Sequence, residues 1–282
     1  IAQIFARAGV KVTIVSRRGL LPEAEPEIGA ALREYFEVEG IRVVSGITYD
    51  RVDAKDSSIT LKVVDGNGAR ELVADKVLVA TGRTPNSESL NLTRAGIEVA
   101  ANNGIKIDAQ MRSSRDGVYA AGDVTGNDQF VYMAAYGAKL AAKNALNSNS
   151  LSYDNAAMPA VVFTDPQVAG VGLSEVEAKA AGHKVKTSVI TLDNVPRAVA
   201  ARDTRGVIKL VADAKTDRLL GGQIAAPEGS DTIQTLAMAL IFGMTARALG
   251  ETIFPYLTTV EGLNLAAQTF DKDVAKLSCC AG

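Results

Sequence analysis

The sequence predicts an α/β protein in which an incomplete βαβ unit and a central segment precede an α+β unit. Residues 1–9 carry apolar side chains at helical spacing and are followed by the apolar strand 12–15, as in the second half of a βαβ unit. Beyond residue 156, predicted helices are interspersed with strands of the antiparallel type. These two patterns define the predicted fold class.

The first region, residues 1–86, is interpreted as part of a Rossmann-like nucleotide-binding domain. It continues with a helix over 27–39, which ends at Gly40, and a short strand over 41–44. The turn sequence at 65–68, Asp-Gly-Asn-Gly, lies between two alternating segments and predicts a β-hairpin. The predicted strands around and after this turn are 59–64, 70–74 and 76–80.

Two further regions follow. In the central segment, 87–155, an apolar strand over 117–121 leads into a Gly-Asp pair, and an Ala-rich helix is predicted over 130–146. The last region, 156–282, is the predicted α+β unit, and it begins with an apolar run at 158–163. Its predicted helices are 174–181, 230–242 and 245–250, and its predicted strands are 185–191, 207–212 and 219–226.

Composition limits the classes of function. Hydrophobic residues make up 47% of the 282 residues, and the formal net charge is −2. This near-neutral charge predicts neither nucleic acid nor an anionic membrane as a partner. No apolar run approaches the roughly 18 residues of a membrane-spanning helix. Two cysteines provide no disulfide scaffold, which is consistent with a reducing cytoplasm.

Ile1 already belongs to the amphipathic helical pattern, and no initiator methionine precedes it. We therefore expect the chain to be truncated at its N-terminus. The Gly-rich turn that opens a dinucleotide-binding βαβ unit is expected to lie immediately upstream.

Two arginines, Arg17 and Arg18, follow the strand 12–15. In dinucleotide-binding βαβ units this position meets the adenosine ribose, where an acidic residue binds the 2′-hydroxyl of NAD. Ser16 stands in the place of that acid, and guanidinium groups suit bidentate binding of a 2′-phosphate. The pattern favours NADP over NAD, and the alternative is an ordinary solvated basic turn.

The only two cysteines, Cys279 and Cys280, are adjacent near the end of the chain. Neighbouring Cα atoms lie about 3.8 Å apart, which is too close for the usual geometry of a disulfide. Thiolates bind soft metal ions, and a terminal segment is able to carry a bound ion. The dipeptide alone leaves a second interpretation open, namely a pair of incidental exposed thiols.

Three motifs resemble those of the flavoprotein pyridine nucleotide–disulfide reductases, a family that includes glutathione reductase and lipoamide dehydrogenase. They are Val-Ala-Thr-Gly-Arg-Thr-Pro-Asn at 79–86, Tyr-Ala-Ala-Gly-Asp at 119–123, and Val-Phe-Thr-Asp-Pro at 162–166. The resemblance runs in order through the whole chain. It implies that the upstream residues contain an FAD domain and a redox-active cysteine pair.

The same resemblance implies a homodimer that binds FAD and NADPH. Residues 1–86 would be the C-terminal part of the NADPH-binding domain, 87–155 would contact FAD, and 156–282 would form the dimerisation domain with a Cys-Cys tail. The residues expected to bind the cofactors, besides Arg17 and Arg18, are Gly82, Arg83, Gly122, Asp123 and Val131.

The closing region departs from the family motif. Members of the family usually carry His-Pro-Thr-x-x-Glu, whose histidine is the acid–base partner of the redox cysteines. Here Tyr256 stands in the place of that histidine, and Glu261 is retained. A phenol with a pKa of about 10 is a poor base for dithiol exchange. The only histidine, His183, is predicted to be a solvated surface residue without a catalytic role.

Tyr256 and the terminal Leu-Ser-Cys-Cys-Ala-Gly resemble the mercuric reductase branch of this family, as do the stretches 191–198 and 265–270. This resemblance implies FAD-dependent reduction of Hg(II) to Hg(0) by NADPH in the cytoplasm. Cys279 and Cys280 would take Hg(II) from thiol complexes, Tyr256 would line the metal site, and Glu261 would belong to the catalytic residues. The fragment alone is not expected to turn over.

Two other classes of function stay open at this point. A different flavoprotein reductase, acting on a disulfide, a small thiol or a quinone, predicts a histidine at position 256 and no adjacent cysteines in the tail. A non-catalytic, thiol-based metal-binding remnant predicts binding of Hg(II) without oxidation of NADPH.

Overall fold

The computed structural model describes residues 1–274 and 277, which fall into two compact units. One unit combines residues 1–77 with the residues from 156 onward, and the other comprises residues 78–155. Helices, one parallel strand pair and antiparallel sheets occur together, which confirms the predicted α/β fold class.

The N-terminal part of the first unit contains the predicted βαβ-type elements. Helix α1 (Ala2–Arg7) leads to strand β1 (Thr13–Val15), and helix α2 (Pro26–Val38) leads to strand β2 (Arg42–Val44). The two strands pair in parallel. Proline at the first position of α2 starts that helix without losing a hydrogen bond, because the first amide groups of a helix have no intrahelical partner.

An antiparallel meander follows, formed by β3 (Thr48–Lys55), β4 (Ser58–Asp65) and β5 (Gly68–Ala74). The hairpin between β4 and β5 confirms the prediction made from the Asp-Gly-Asn-Gly turn. Strand β3 was not predicted because nearly all of its residues are exposed, so that it shows no alternation of apolar and polar side chains.

The second unit contains one long helix, α3 (Val131–Leu146), which confirms the prediction of a helix over 130–146. The predicted strand 117–121 is wrong, because the structure has a single isolated bridge there, between Arg112 and Tyr119. The predicted strand 76–80 is also wrong. The side chains of Val77, Leu78 and Val79 are exposed, and no strand among residues 1–274 pairs with this segment.

A five-stranded antiparallel sheet forms the centre of the C-terminal part of the first unit. Its strands, in chain order, are β6 (Ala160–Val162), β7 (Gln167–Gly172), β8 (Val185–Thr191), β9 (Val207–Asp213) and β10 (Leu219–Ala226). The spatial order is β6-β7-β10-β9-β8, so that β10 and β9 lie inside the sheet. All seven residues of β9 are buried, as expected for a central strand covered on both faces.

Five helices accompany this sheet: α4 (Glu175–Ala180), α5 (Pro196–Ala201), α6 (Gly229–Ile241), α7 (Ala246–Glu251) and α8 (Glu261–Gln268). Helices α5 and α8 were not predicted, since neither begins with a side-chain N-cap, whereas α4 and α7, which are no longer, both do. The other three confirm the predictions, apart from shifts of a few residues at their ends. The sheet and these helices enclose the main hydrophobic core of the unit.

Helix α2 packs on the C-terminal sheet through a second apolar cluster. Ile28 and Leu32 of α2 share this cluster with Val207 of β9 and Ala225 of β10. Residues from the N-terminal and the C-terminal parts of this unit therefore belong to one core.

A buried ion network lies beside that cluster. Lys209 of β9 is 3% exposed, and its Nζ lies 2.9 Å from Glu25, 3.0 Å from Glu27 and 2.9 Å from Glu175. Three carboxylates thus surround one ammonium group, which compensates for the loss of its hydration. The network connects the start of α2, the start of α4 and strand β9.

Candidate cofactor and metal sites

The turn after β1 presents the two arginines that the sequence associates with NADP. The N–H of Ser16 donates to the carbonyl of Val44 at 2.9 Å, which extends the parallel pairing by one residue and fixes the start of the turn. Arg18 is exposed and pairs with Glu23 at 2.6 Å. Arg17 is also exposed, and within residues 1–274 it has no hydrogen bond or ion pair. Arg17 is therefore available to bind an anion.

Gly82 and Arg83 belong to an extended, exposed segment of the second unit. Gly82 has a φ of +122°, a conformation that disfavours any residue with a Cβ, and nothing lies within 4 Å of the place where a Cβ would be. The guanidinium Nη1 of Arg83 donates to the carbonyl of Gln129 at 3.3 Å. This bond brings the Ala-Thr-Gly-Arg turn next to the segment that starts α3.

Gly122 and Asp123 form a tight turn against α3. At Gly122 φ is +77°, and an added Cβ would lie 3.1 Å from the Cβ of Ala134. Glycine is needed here for both backbone conformation and close approach. The carboxylate of Asp123 is exposed, and within the described residues it accepts no hydrogen bond. It is thus able to accept hydrogen bonds from the hydroxyl groups of a ribityl chain.

Val131 is the first residue of α3, and its side chain is 84% exposed. The preceding residue, Phe130, makes no side-chain cap to the helix. The N-terminus of a helix of this length attracts an acceptor oxygen or an anionic group, because its first amide groups point outward. Together, the turn at Gly122, the Asp123 carboxylate and the N-terminus of α3 fit the expected flavin-binding role.

The sequence analysis missed a polar cluster that supports this region. Asp128 accepts a hydrogen bond from the Tyr153 hydroxyl at 2.9 Å and another from the Asn155 amide at 2.8 Å. Burial and the neighbouring Asp128 raise the pKa of Tyr153 well above its usual value. The partners are 25 and 27 residues apart in the sequence, so that no local motif could reveal the cluster.

Tyr256 and Glu261 lie on either side of the turn that opens α8. The side chain of Tyr256 is 58% exposed, whereas Glu261 is buried and 5% exposed. Burial raises the pKa of the Glu261 carboxyl. The second carboxyl oxygen, Oε2, has no hydrogen-bond partner among the described residues. The two predicted site residues therefore differ in their surroundings, since Tyr256 is exposed to solvent and Glu261 is buried.

His183 is more engaged than the sequence analysis predicted. Its Nδ1 lies 3.0 Å from Oδ2 of Asp213, and its side chain is about one-third exposed. The bond to His183 and nearby backbone amides hold the pKa of Asp213 well below its usual value. His183 is thus a partly exposed surface residue, as predicted, and its ring is in addition paired with Asp213. Asp213 ends β9 beside the turn that contains His183, a contact that sequence spacing does not show.

Cys279 and Cys280, the predicted metal-binding pair, lie outside the described residues. Within the described part of the chain, no group of three or more His, Cys, Asp and Glu side chains is arranged to hold a metal ion. Of the predicted metal-contacting residues, the structure describes Tyr256.

Comparison with known families identifies the class of protein. Residues 1–142 match the pyridine nucleotide-disulphide oxidoreductase family, and residues 158–267 match the dimerisation domain of the pyridine nucleotide-disulphide oxidoreductases. The chain belongs to this family, which confirms the resemblance drawn from the three motifs.

The curated relatives with high identity include mercuric reductases. The chain is 49% identical over 282 residues to a mercuric reductase of Acidithiobacillus ferrooxidans, covering 100% of this chain and 51% of that protein. It is 49% identical over 287 residues to a mercuric reductase of Shigella flexneri, covering 100% of this chain and 50% of that protein. The chain thus spans about half the length of these relatives.

Solved structures show the same fold. A Cu(II) complex of the HOCl-induced flavoprotein disulfide reductase RclA from Escherichia coli superposes with a TM-score of 0.86 at 27% identity, over 95% of this chain and 60% of that chain. LpdA from Mycobacterium tuberculosis superposes with a TM-score of 0.85 at 26% identity, over 96% of this chain and 59% of that chain. Among the described residues, no helix combines the length and apolar character needed to cross a bilayer.

Proposed function

We propose that this chain is the C-terminal half of a flavin-dependent reductase that uses NADPH to reduce Hg(II) to Hg(0). The observation that carries the proposal is the high identity to mercuric reductases along the entire chain, up to 49%. Two electrons from NADPH convert Hg(II) to Hg(0), and the thiolates that held the metal are released. The assembled enzyme is a cytoplasmic homodimer, with residues from 156 onward as its dimerisation domain.

The chain supplies binding groups for both cofactors. Bound FAD would carry the two electrons from NADPH to the metal. Asp123 accepts hydrogen bonds from hydroxyl groups of the flavin side chain, while Gly122 lets the backbone approach it. Gly82 and Arg83 contribute to the cofactor surface beside Val131. Arg17 and Arg18 bind the 2′-phosphate of NADPH.

The surroundings of Tyr256 support metal reduction over dithiol exchange. The single histidine, His183, pairs with Asp213 of β9 and therefore does not take the place of the histidine that the family usually has at position 256. Tyr256 is exposed and supplies a phenolic oxygen where the family usually has an imidazole. A phenol is a weak base at neutral pH but is able to contact a metal ion or a thiolate. Tyr256 therefore lines the metal site in this proposal.

Cys279 and Cys280 act as the entry site for the substrate. Hg(II) in a cell is bound to thiols, and exchange of thiolates on a soft ion proceeds by attack of an incoming thiolate. An accessible pair of cysteines is able to exchange with bulky complexes and to pass Hg(II) to an inner cysteine pair across the dimer.

Replacement of both cysteines by alanine in the full-length protein tests this function. We expect the variant to lose most of its steady-state reduction of Hg(II) bound to glutathione, while reduction of Hg(II) in bromide largely survives. Small ligands allow the metal to reach the inner site directly. The bromide substrate is the internal control for folding and cofactor binding.

Four outcomes would contradict the proposal. Equal loss on both substrates, or no loss on either, rules out entry through the tail. If the unmodified full-length protein binds Hg(II) without oxidising NADPH, it is a metal-binding protein. Rapid reduction of a disulfide without any Hg(II)-dependent turnover would favour an ordinary disulfide reductase.

A further inference from the structure

The loop that carries Arg17 and Arg18 runs from the end of β1 to the start of α2, and its first half is fixed to the parallel strands. The N–H of Ser16 donates to the carbonyl of Val44 at 2.9 Å. The hydroxyl of Ser16 donates to the carbonyl of Arg18. The backbone of both arginines therefore belongs to a turn that is tied to the strand pair at its start.

The second half of the loop packs on the sheet of the C-terminal part of the unit. Leu20, Leu21 and Ala24 lie against the apolar cluster that contains Val207 of β9 and Ala225 of β10. Removal of these apolar side chains from water stabilises the contact. The loop thus leaves the arginines and continues directly onto strands of the predicted dimerisation domain.

Glu25, the last residue before α2, ends the loop in a buried polar contact and is 2% exposed. Its N–H donates to the side-chain oxygen of Gln223 on β10 at 2.7 Å. One carboxylate oxygen accepts from the N–H of Glu175 at 2.6 Å, and the other lies 2.9 Å from Nζ of Lys209. Both the backbone and the side chain of Glu25 are therefore bound to the C-terminal part of the unit.

The contact with Lys209 is a contact with a full positive charge. Burial alone would lower the pKa of Lys209, but its three carboxylate partners raise the pKa above the ordinary value. Removal of one partner from a buried ion pair is costly when the other charge is left alone. Glu27 and Glu175 still surround Lys209 when Glu25 is replaced, so that this ammonium group keeps two carboxylates.

We propose that Glu25 and Lys209 are positioning residues, which hold the loop of Arg17 and Arg18 in the conformation that binds the 2′-phosphate of NADPH. The inference rests on the proposed function for the identity of the nucleotide. Bidentate bonds from a guanidinium group require a defined geometry, and a loop that is free at one end loses conformational entropy when it binds. The preference for NADPH therefore depends on the sheet of the dimerisation domain.

Calorimetric titration of the full-length protein, with its flavin bound, tests the inference. The probes are adenosine 2′,5′-bisphosphate and adenosine 5′-monophosphate, and the preference is the ratio of their dissociation constants. We expect Glu25→Ala to lower this preference by roughly fivefold or more, because the loop loses an anchor and binding has to order it. Gln223→Ala removes one neutral acceptor and no charge, and it should lower the preference by roughly two- to threefold.

Glu175→Gln is the matched control. The Glu175 carboxylate pairs with the same Lys209 Nζ at 2.9 Å, but it belongs to α4 and not to the loop. Glutamine also keeps the backbone N–H that Glu25 accepts. A general loss of stability affects this variant as well, whereas its preference should change by less than about twofold.

A combined variant shows whether Glu25 acts through the arginines. In a protein that already carries Arg17→Ala and Arg18→Ala, the further change Glu25→Ala should leave the affinity for the bisphosphate within roughly twofold. The effects are not additive, because the groups that Glu25 positions are already gone.

Three results would overturn the inference and leave the proposed cofactor intact. An unchanged preference in Glu25→Ala shows that the loop does not depend on this anchor. Equal weakening of both nucleotides shows a general loss of the nucleotide site. A further large loss in the combined variant shows that Glu25 acts independently of the arginines. Equal affinity of the unmodified protein for both nucleotides instead refutes the proposed binding of the 2′-phosphate, and the inference with it.

Discussion

Arg17 and Arg18 are adjacent in sequence but differ in their surroundings. Arg18 pairs with Glu23, whereas Arg17 has no ion-pair partner among the described residues. Binding of a phosphate by Arg18 therefore competes with an existing, exposed ion pair, which is a weak interaction. Binding by Arg17 breaks no such contact. The structure thus distinguishes two arginines that the sequence pattern treats as equivalent.

The first prediction concerns cofactor choice. In the full-length enzyme, changing both arginines to alanine should raise the KM for NADPH by roughly tenfold or more, because charge-assisted bonds to the 2′-phosphate are lost. The KM for NADH should change by less than about threefold, since NADH lacks that phosphate. Arg17→Ala alone should account for most of the effect.

Steady-state kinetics with both cofactors measures this difference. Arg33→Ala is the matched control, because Arg33 is likewise exposed and pairs with Glu37 at 2.8 Å on the surface of α2. Equal changes in the two KM values would show that the arginines at 17 and 18 are ordinary surface charges.

Among the elements, those with a local sequence signal were predicted and those without one were not. Helix α3 and strand β8 bury one face, and strands β9 and β10 are mostly apolar and almost wholly buried. Strand β3 is exposed, and helices α5 and α8 lack the side-chain N-caps that begin α4 and α7. Gly122 and Asp123 could be recognised in the sequence because their motif is local. The Asp128–Tyr153 and His183–Asp213 contacts could not, because they form only in the folded chain.

Helix α4 joins strand β9 through charged groups, and this contact depends on pH. Lys179, at 2.5 Å, and Lys209, at 2.9 Å, lower the pKa of Glu175 to about 2 from its ordinary value of 4.5. A carboxyl with a lowered pKa stabilises the fold fully above its unfolded pKa. The stabilisation is lost as pH falls from about 4.5 towards 2.

The second prediction follows from this shift. Glu175→Gln should lower the free energy of unfolding by roughly 1–3 kcal/mol at pH 7, allowing for the partial exposure of the side chain. The difference from the unmodified protein should shrink between pH 4.5 and pH 3. Denaturant unfolding at the two pH values measures it. Glu37→Gln, in an exposed pair, serves as control and should change stability by less than about 0.5 kcal/mol. A difference that grows on acidification would contradict the assignment.

For the whole molecule, an exposed apolar surface at the end of α6 is relevant to self-association. Ile241 is 60% exposed and Phe242 is 75% exposed, and Ile253 nearby in the sequence is 96% exposed. Large aliphatic and aromatic side chains in such positions are typical of surfaces that are buried in an assembly. This part of the chain lies within the matched dimerisation domain.

The third prediction is that Ile241→Ser with Phe242→Ser weakens the homodimer of the full-length protein. Loss of two apolar contacts on each protomer should raise the dissociation constant by at least roughly 30-fold. Sedimentation velocity over a range of concentrations measures the change. Val176→Ser is the control, because Val176 is 72% exposed on α4, outside the proposed surface. An unaltered dissociation constant in the double variant would place the dimer contact elsewhere.

The shared core of α2 with β9 and β10 has a consequence for synthesis on the ribosome. Leu32 emerges long before Ala225, which it joins in one apolar cluster. At 5–20 residues per second, the interval between them is roughly 10–40 s. Until then the apolar face of α2 lacks Ala225, and for the earlier part of this interval also Val168 and Val207, so that apolar surface stays open to nascent-chain chaperones. The N-terminal βαβ elements therefore complete their packing only after most of this chain has been translated.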